Sequence, residues 1–242
     1  MIHYHGMSGS GTHKDAISLA QGRHVFISYA DHGGLAKIAS VASSFALDNG
    51  AYSAWTRNKP MDYDGFVDFV RKWHNHPGFD WAVIPDVIDG DESANDEWVD
   101  AWPKELTGVP VWHMHESLDR LARLADGYER VALGSSGTYS MPGSEGWWRR
   151  IGQAMDAICL DGKPICKLHG MRMLDPRIFT RLPLASADST NAERNGQMEK
   201  YWGAYAPPTR GQRSAVIAWR VEQHQSAETW VPDPQMELEL SI

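Results

Sequence analysis

Eight short runs of apolar, β-branched and aromatic residues recur along the 242-residue chain, each closed by small or polar residues. Most are followed by a stretch whose apolar positions return every three or four residues. The runs span 2–6, 24–30, 45–50, 81–86, 109–115, 130–135, 164–170 and 184–190, and helical patterning occupies 33–44, 61–75, 91–102, 117–126 and 144–159. Asp62, Asp91 and Ser117 stand at helix starts, and Pro103 and Gly127 at stops. Strand and helix alternating in this way predict parallel strands joined by crossover helices, and eight is the number at which such a sheet closes. The fold expected is therefore α/β: a compact (β/α)8 TIM-type barrel over 1–203, followed by a C-terminal helical extension and tail over 204–242. About 190 residues is short for this barrel, so helices one, two and seven must be short. A further helix is expected from Arg213 to about Ala227. A flat doubly wound sheet is the structural alternative.

No run of about 18 apolar residues occurs, and Met1 leads into Ile-His-Tyr-His without a basic or apolar leader, so a soluble cytoplasmic protein is expected, without a membrane span or secretion signal. Two cysteines, Cys159 and Cys166, supply neither a disulfide framework nor a four-thiolate zinc site. The formal charge of −8 opposes indiscriminate polyanion binding, but it is unevenly spread: between Arg149 and Arg220 twelve basic residues face six acidic ones. That segment is a candidate phosphate-contacting face; solvated helix faces are the plainer reading.

In a barrel of this kind the active site is built at the C-terminal strand ends. The residues there are His5, Ser28, Asp48-Asn49-Gly50, Asp86, His113 and His115, Ser135-Ser136, His169 and Asp188-Ser189-Thr190-Asn191. An aspartate closing an apolar run carries a desolvation cost that hydrogen bonds or a chemical task must offset. Each of Asp48, Asp86 and Asp188 alone reads equally well as a helix cap; three converging on one mouth point to chemistry. Two carboxylates facing one sugar can act as nucleophile and general acid/base at a glycosidic carbon. A third can accept the two donors on the Watson–Crick edge of guanine. Other carboxylate chemistries stay open on spacing alone.

The stretches Phe45-Ala-Leu-Asp-Asn-Gly-Ala-Tyr-Ser-Ala-Trp55, Ile84-Pro-Asp-Val-Ile-Asp-Gly90, Ala132-Leu-Gly-Ser-Ser-Gly137, Lys167-Leu-His-Gly-Met-Arg172 and Ala185-Ser-Ala-Asp-Ser-Thr-Asn191 resemble the tRNA-guanine transglycosylase superfamily. The resemblance covers roughly residues 1–200 and is closer to the phage and bacterial branch, the DpdA-like 7-deazaguanine DNA transglycosylases. It implies a barrel that replaces guanine in a polynucleotide by a free 7-deazaguanine base through a covalent enzyme–nucleic-acid intermediate, without a cofactor or metal. It implies Asp188 as nucleophile, Asp48 in proton transfer, Asp86 as the base-binding carboxylate, and Gly134 with Ser135 against the base. His115 or Glu116 falls where the family has a base-contacting glutamine, and His169 joins the base-binding set. The transfer RNA enzymes carry a Cys-rich zinc subdomain after the last strand; residues 191–242 contain no cysteine, which favours DNA over transfer RNA as partner. A helper protein that opens the polymer is compatible with this reading.

The candidate backbone track is then Arg149, Arg150, Asn191, Arg194, Lys200, Arg210 and Arg213. Trp147, Trp148, Tyr201 and Trp202 are candidates for stacking on splayed bases, with packing as the plainer role. Tyr52 and Trp112 are candidate walls of a pocket that excludes water. Two other classes compete. His3-x-His5, His113-x-His115, His169 and Asp188 approximate the metal constellation of an amidohydrolase-like barrel. A non-catalytic module that only binds a modified base would retain the pocket and lose the chemistry.

Overall fold

The computed structural model describes residues 1–8, 14–198, 202–203 and 205–232. The strands are β1 (Ile2–Met7), β2 (His24–Ser28), β3 (Ser44–Asp48), β4 (Phe79–Val83), β5 (Gly108–Val109), β6 (Val111–His113), β7 (Arg130–Gly134), β8 (Cys159–Leu160), β9 (Lys163–Pro164), β10 (Lys167–Gly170) and β11 (Ser186–Ser189). Nine of them form one sheet in the order β5-β4-β3-β2-β1-β11-β10-β7-β6, with every pairing parallel. Its two outer members are consecutive in the chain and separated only by Pro110. β5 pairs with β4 through Ala82↔Gly108 and Val83↔Val109, and β6 pairs with β7 through Val111↔Ala132 to His113↔Gly134. Proline has no N–H for the ladder, so the strand changes partner there, while the Pro110 carbonyl still accepts from Ala132 N at 2.9 Å. Counted as one strand, 108–113 brings the sheet round to its own edge. The fold is the expected (β/α)8 TIM-type barrel, with the open doubly wound sheet excluded.

The helices are α1 (Lys14–Ala20), α2 (Leu35–Ala39), α3 (Ala51–Thr56), α4 (Tyr63–Trp73), α5 (Glu92–Ala101), α6 (Leu118–Gly127), α7 (Glu145–Ile158), α8 (Pro176–Phe179), α9 (Asn191–Asn195) and α10 (Arg210–Glu222). The shortness expected of the first, second and seventh crossovers is seen in α1, α2 and α8, of seven, five and four residues. Side-chain caps from Asp62, Asp91, Ser117 and Ser144 start α4, α5, α6 and α7. The final helix lies earlier than the 213–227 expected from its pattern. A reciprocal capping box between Thr209 and Gln212 fixes its start, and it ends at Glu222, two residues before the His224 carbonyl accepts from His3 Nε2 at 2.9 Å. This helix, set apart in the sequence as an extension from 204, packs back on α1, α9 and the outside of β1. Gly211 N donates to Asp15 Oδ1 at 2.8 Å, and any Cβ at Gly211 would lie 2.7 Å from the Asp15 Cα.

Strand alternation sorts side chains into two sets. Tyr4, Phe26, Ala46, Trp81, Val83, Val109, Val111 and Ala132 fill the barrel interior as one cluster. The alternate positions, such as Val25, Ile27, Phe45, Leu47, Trp112, Val131 and Leu133, pack outward under the helices in two larger clusters. No helix among the described residues is long and apolar enough to cross a membrane. Cys159 and Cys166 are free thiols, each pushed up to about 11 by burial.

Candidate active site

Two residues beyond each interior position the same face of the strand reaches the barrel mouth. Ala46 leads to Asp48, Val111 to His113, Ala132 to Gly134 and Ser186 to Asp188. Asp48 ends β3, and the chain turns at once into Gly50, whose φ of 81° lies in the left-handed region that favours glycine. The turn aims Gly50 N at Asp48 Oδ2, 3.2 Å away. Burial pushes the Asp48 carboxyl up to about 6; the neighbouring charges of Asp86 and Asp188 push the same way, while the Ser28 hydroxyl and the Gly50 N–H oppose the rise. Asp48, Asp86 and Asp188 thus share one electrostatic environment.

Asp86 lies just beyond β4. One oxygen accepts from Asn49 Nδ2 at 2.6 Å, and the other meets His113 Nε2 at 2.8 Å. Its side chain is 7% exposed. Asn49 is itself buried, donating also to the Ile84 carbonyl and accepting from Ala51 N, so it ties the loops after β3 and β4 together. Gly134 lies beside His113, where a Cβ would come within 3.0 Å of the ring Nδ1. Asp188 is 6% exposed; its Oδ1 accepts from Arg172 N at 2.9 Å and lies 3.3 Å from His169 Nε2. Arg172 presents that N–H from φ = 60°, sparsely populated for a residue with a side chain. Its guanidinium lies 5.8 Å over the ring of Tyr52, which is 54% exposed at the rim.

Several sequence-derived assignments are corrected. His169 is fully buried beneath Asp188, among Tyr4, Phe26 and Trp81, and is not part of a base-contacting surface. Ser135 points to the helix layer, accepting from Trp147 Nε1 at 2.9 Å. Trp112 is an outer-core residue rather than a pocket wall, its Nε1 donating to the Ser117 carbonyl. His115 is an exposed rim residue with both ring nitrogens engaged, by Ser136 Oγ and the Gly90 carbonyl, so it braces loops. Glu116 is buried, taking His113 N, Asn95 Nδ2 and Arg120 Nη1 at 2.7–2.8 Å. Breaking that enclosed ion pair is expected to be costly: Arg120→Ala should lower unfolding free energy by about 3–5 kcal/mol, read by chemical denaturation.

The basic track is reduced by the same kind of reckoning. Arg150 is a clamp on the Met114 and Glu116 carbonyls with its guanidinium over Trp112 and Tyr139. Arg213 is buried against the Gly196 and Pro207 carbonyls. Arg210 engages Glu193, and Asn191 bonds to Asn195 within α9. Arg149, paired with Glu145, and Arg194 are exposed on segments that leave the mouth. Trp147 is buried, while Trp148 and Trp202 lie under Arg181 and Arg220. Lys200 and Tyr201 lie outside the described residues.

The metal reading fails on strand parity. Tyr4 faces the interior, so His3 and His5 face outward, bonded to the His224 carbonyl and to Glu222 Oε1. Among the described residues no group of three or more His, Cys, Asp or Glu side chains is arranged to hold a metal ion. Cavities of about 470 and 200 Å3 lie at the opposite, N-terminal end of the barrel, the first between β7, β10 and β11 and the second beside Tyr4, Asp80 and Arg130.

Ser186 and Arg130 escape the sequence reading, and Asn49 stands in its strand-end set without a role of its own. Ser186 had a signal, since it stands two residues before Asp188 and must share its strand face. Arg130 had none beyond its neighbours. Compared with protein-family models and with curated proteins, the chain matches none of them.

Proposed function

We propose that this protein is a transglycosylase that exchanges guanine in a polynucleotide, DNA before transfer RNA, for a free 7-deazaguanine base. The observation that carries this reading is the convergence of Asp48, Asp86 and Asp188 at one mouth with Asp48 held up to about 6. Two carboxylates placed in distinct environments separate a nucleophile from a proton carrier.

In the first step an Asp188 oxygen attacks C1′ of the nucleotide as the bond from C1′ to guanine N9 breaks. The bonding pair leaves with guanine, which takes a proton from Asp48 or water. The sugar is then held as an aspartyl ester. The incoming base is oriented by Asp86, whose oxygens keep lone pairs beyond those used by Asn49 and His113. It gives its N9 proton to Asp48 and takes C1′ back from Asp188. Arg172, exposed on the segment that follows β10 and holding Asp188 by its backbone N–H, is the cation placed for phosphate contact. A target base must leave its stack to enter, which is where a helper protein would act.

The test is incubation with a 7-deazaguanine base and, separately, guanine-containing DNA and transfer RNA, followed by nucleoside mass analysis. A 7-deazaguanine nucleoside in the DNA digest is expected. Unchanged nucleosides in both polymers, with base binding intact, would replace this reading by the non-catalytic module.

A further inference from the structure

The helix that follows Asp48 out of the mouth holds two large aromatic rings in solvent. Tyr52 and Trp55 of α3 are 54% and 49% exposed, with ring centroids 5.9 Å apart. Among the described residues no other two aromatic side chains so exposed are in contact. Arg172 joins the pair to the mouth: its backbone N–H is on Asp188 and its guanidinium lies over Tyr52. The turn that ends α3 adds charge. Asn58, at φ = 51°, bends the chain back so that Asn58 N donates to the Trp55 carbonyl at 3.0 Å and Lys59 N to the Ala54 carbonyl at 2.9 Å. Arg57 and Lys59 are thereby held at the end of the helix next to Trp55. Both are exposed, and neither forms an ion pair with a described residue. From Asn49 to Met61 the chain has no acidic residue, although the whole protein carries −8.

Exposed rings flanked by unpaired cations fit one kind of polymer. Bases stack on the rings while phosphates meet the charges, and the base faces are accessible only where they are out of a duplex. We propose that α3 and its closing turn seat an unpaired stretch of the polynucleotide beside the target, one flanking base stacked on Trp55 and the adjoining phosphates met by Arg57 and Lys59. Tyr52 and Arg172 link this ledge to Asp188. The proposal rests on the base-exchange reading for the identity of the target nucleotide, and adds that the polymer is engaged single-stranded. Cations placed here for the helix dipole alone would need neither ring.

The probe is a labelled oligothymidylate of about 12 nucleotides, within the usual span of a single-strand site. It contains no guanine, so it reports the ledge without the exchange reaction. The unmodified protein should bind it at least about tenfold more tightly than a duplex of equal length. Trp55→Ala should weaken binding about 5- to 100-fold, and Trp55→Phe, which keeps a ring, should recover most of the loss. Arg57→Gln combined with Lys59→Gln should lower the slope of log affinity against log salt by about 1.4, the value for two single-strand phosphate contacts. Trp55→Ala should leave that slope unchanged, a separation that a general structural defect would not produce. Melting temperatures check that each variant folds. No binding by the unmodified protein, affinity of Trp55→Ala within about twofold of it, or duplex held as tightly as single strand would each overturn the proposal. Oligothymidylate bound through Trp55 with no guanine exchange in any polymer would keep the ledge and reject base exchange. Exchange by a protein whose oligothymidylate binding ignores Trp55→Ala would do the reverse.

Discussion

Asp188→Asn is expected to abolish the protein–DNA adduct and to lower exchange at least about 10³-fold, with the fold intact. The amide is nearly isosteric with the carboxylate, and its oxygen can still accept from Arg172 N and face His169 Nε2, so the contacts that seat the side chain survive. What is lost is the anionic second oxygen, because an amide nitrogen carries no lone pair able to open a glycosidic bond. Trapping after denaturation checks the adduct, and the melting temperature, expected within a few degrees of the unmodified protein, checks the fold. Full exchange activity in this variant would remove Asp188 from the nucleophile's role; loss of activity together with loss of fold would be read instead from Asp188→Glu, which retains a carboxylate.

The barrel was legible because each strand is buried on both sides and so reads as an apolar run, and because the inner face ends at the mouth in a polar residue. Asp48, Asp86 and Asp188 were found by that rule. The same double burial hides which face is inside: His3 and His5 alternate with Tyr4, and only the return of Glu222 and His224 over β1 explains why the imidazoles face outward. Charge counting failed for a related reason. Arg150 and Arg213 are cations in the sequence, but their partners are backbone carbonyls up to 36 residues away, which no residue pattern records. Pro110 illustrates the limit at strand boundaries, where one apolar run becomes two short strands with different neighbours.

Asp48→Asn should make the protein more stable at neutral pH and about 10²- to 10⁴-fold slower, and that opposition is what distinguishes a chemical group from a cap. In the folded protein this carboxyl is raised from an ordinary 3.8 to about 6. Between those two values the folded state holds the proton more tightly than the unfolded chain. The stabilising contribution of the bound proton is therefore fully present below about pH 4 and lost as pH rises through about 6. Each pH unit of that displacement is worth about 1.4 kcal/mol. At pH 7 the neutral asparagine avoids the charge and should gain about 2–3 kcal/mol, a gain that vanishes towards pH 4; melts at pH 4, 5.5 and 7 give the comparison. A cap would behave in the opposite way, since replacing an ionised carboxylate that accepts a backbone N–H costs stability at neutral pH. For exchange, the protonated carboxyl is the form that can deliver a proton to departing guanine, so the rate should decline on the alkaline side of about pH 6, and the variant should lack that limb. A variant less stable at pH 7, with the limb unchanged, would reduce Asp48 to a turn residue and leave proton delivery to water.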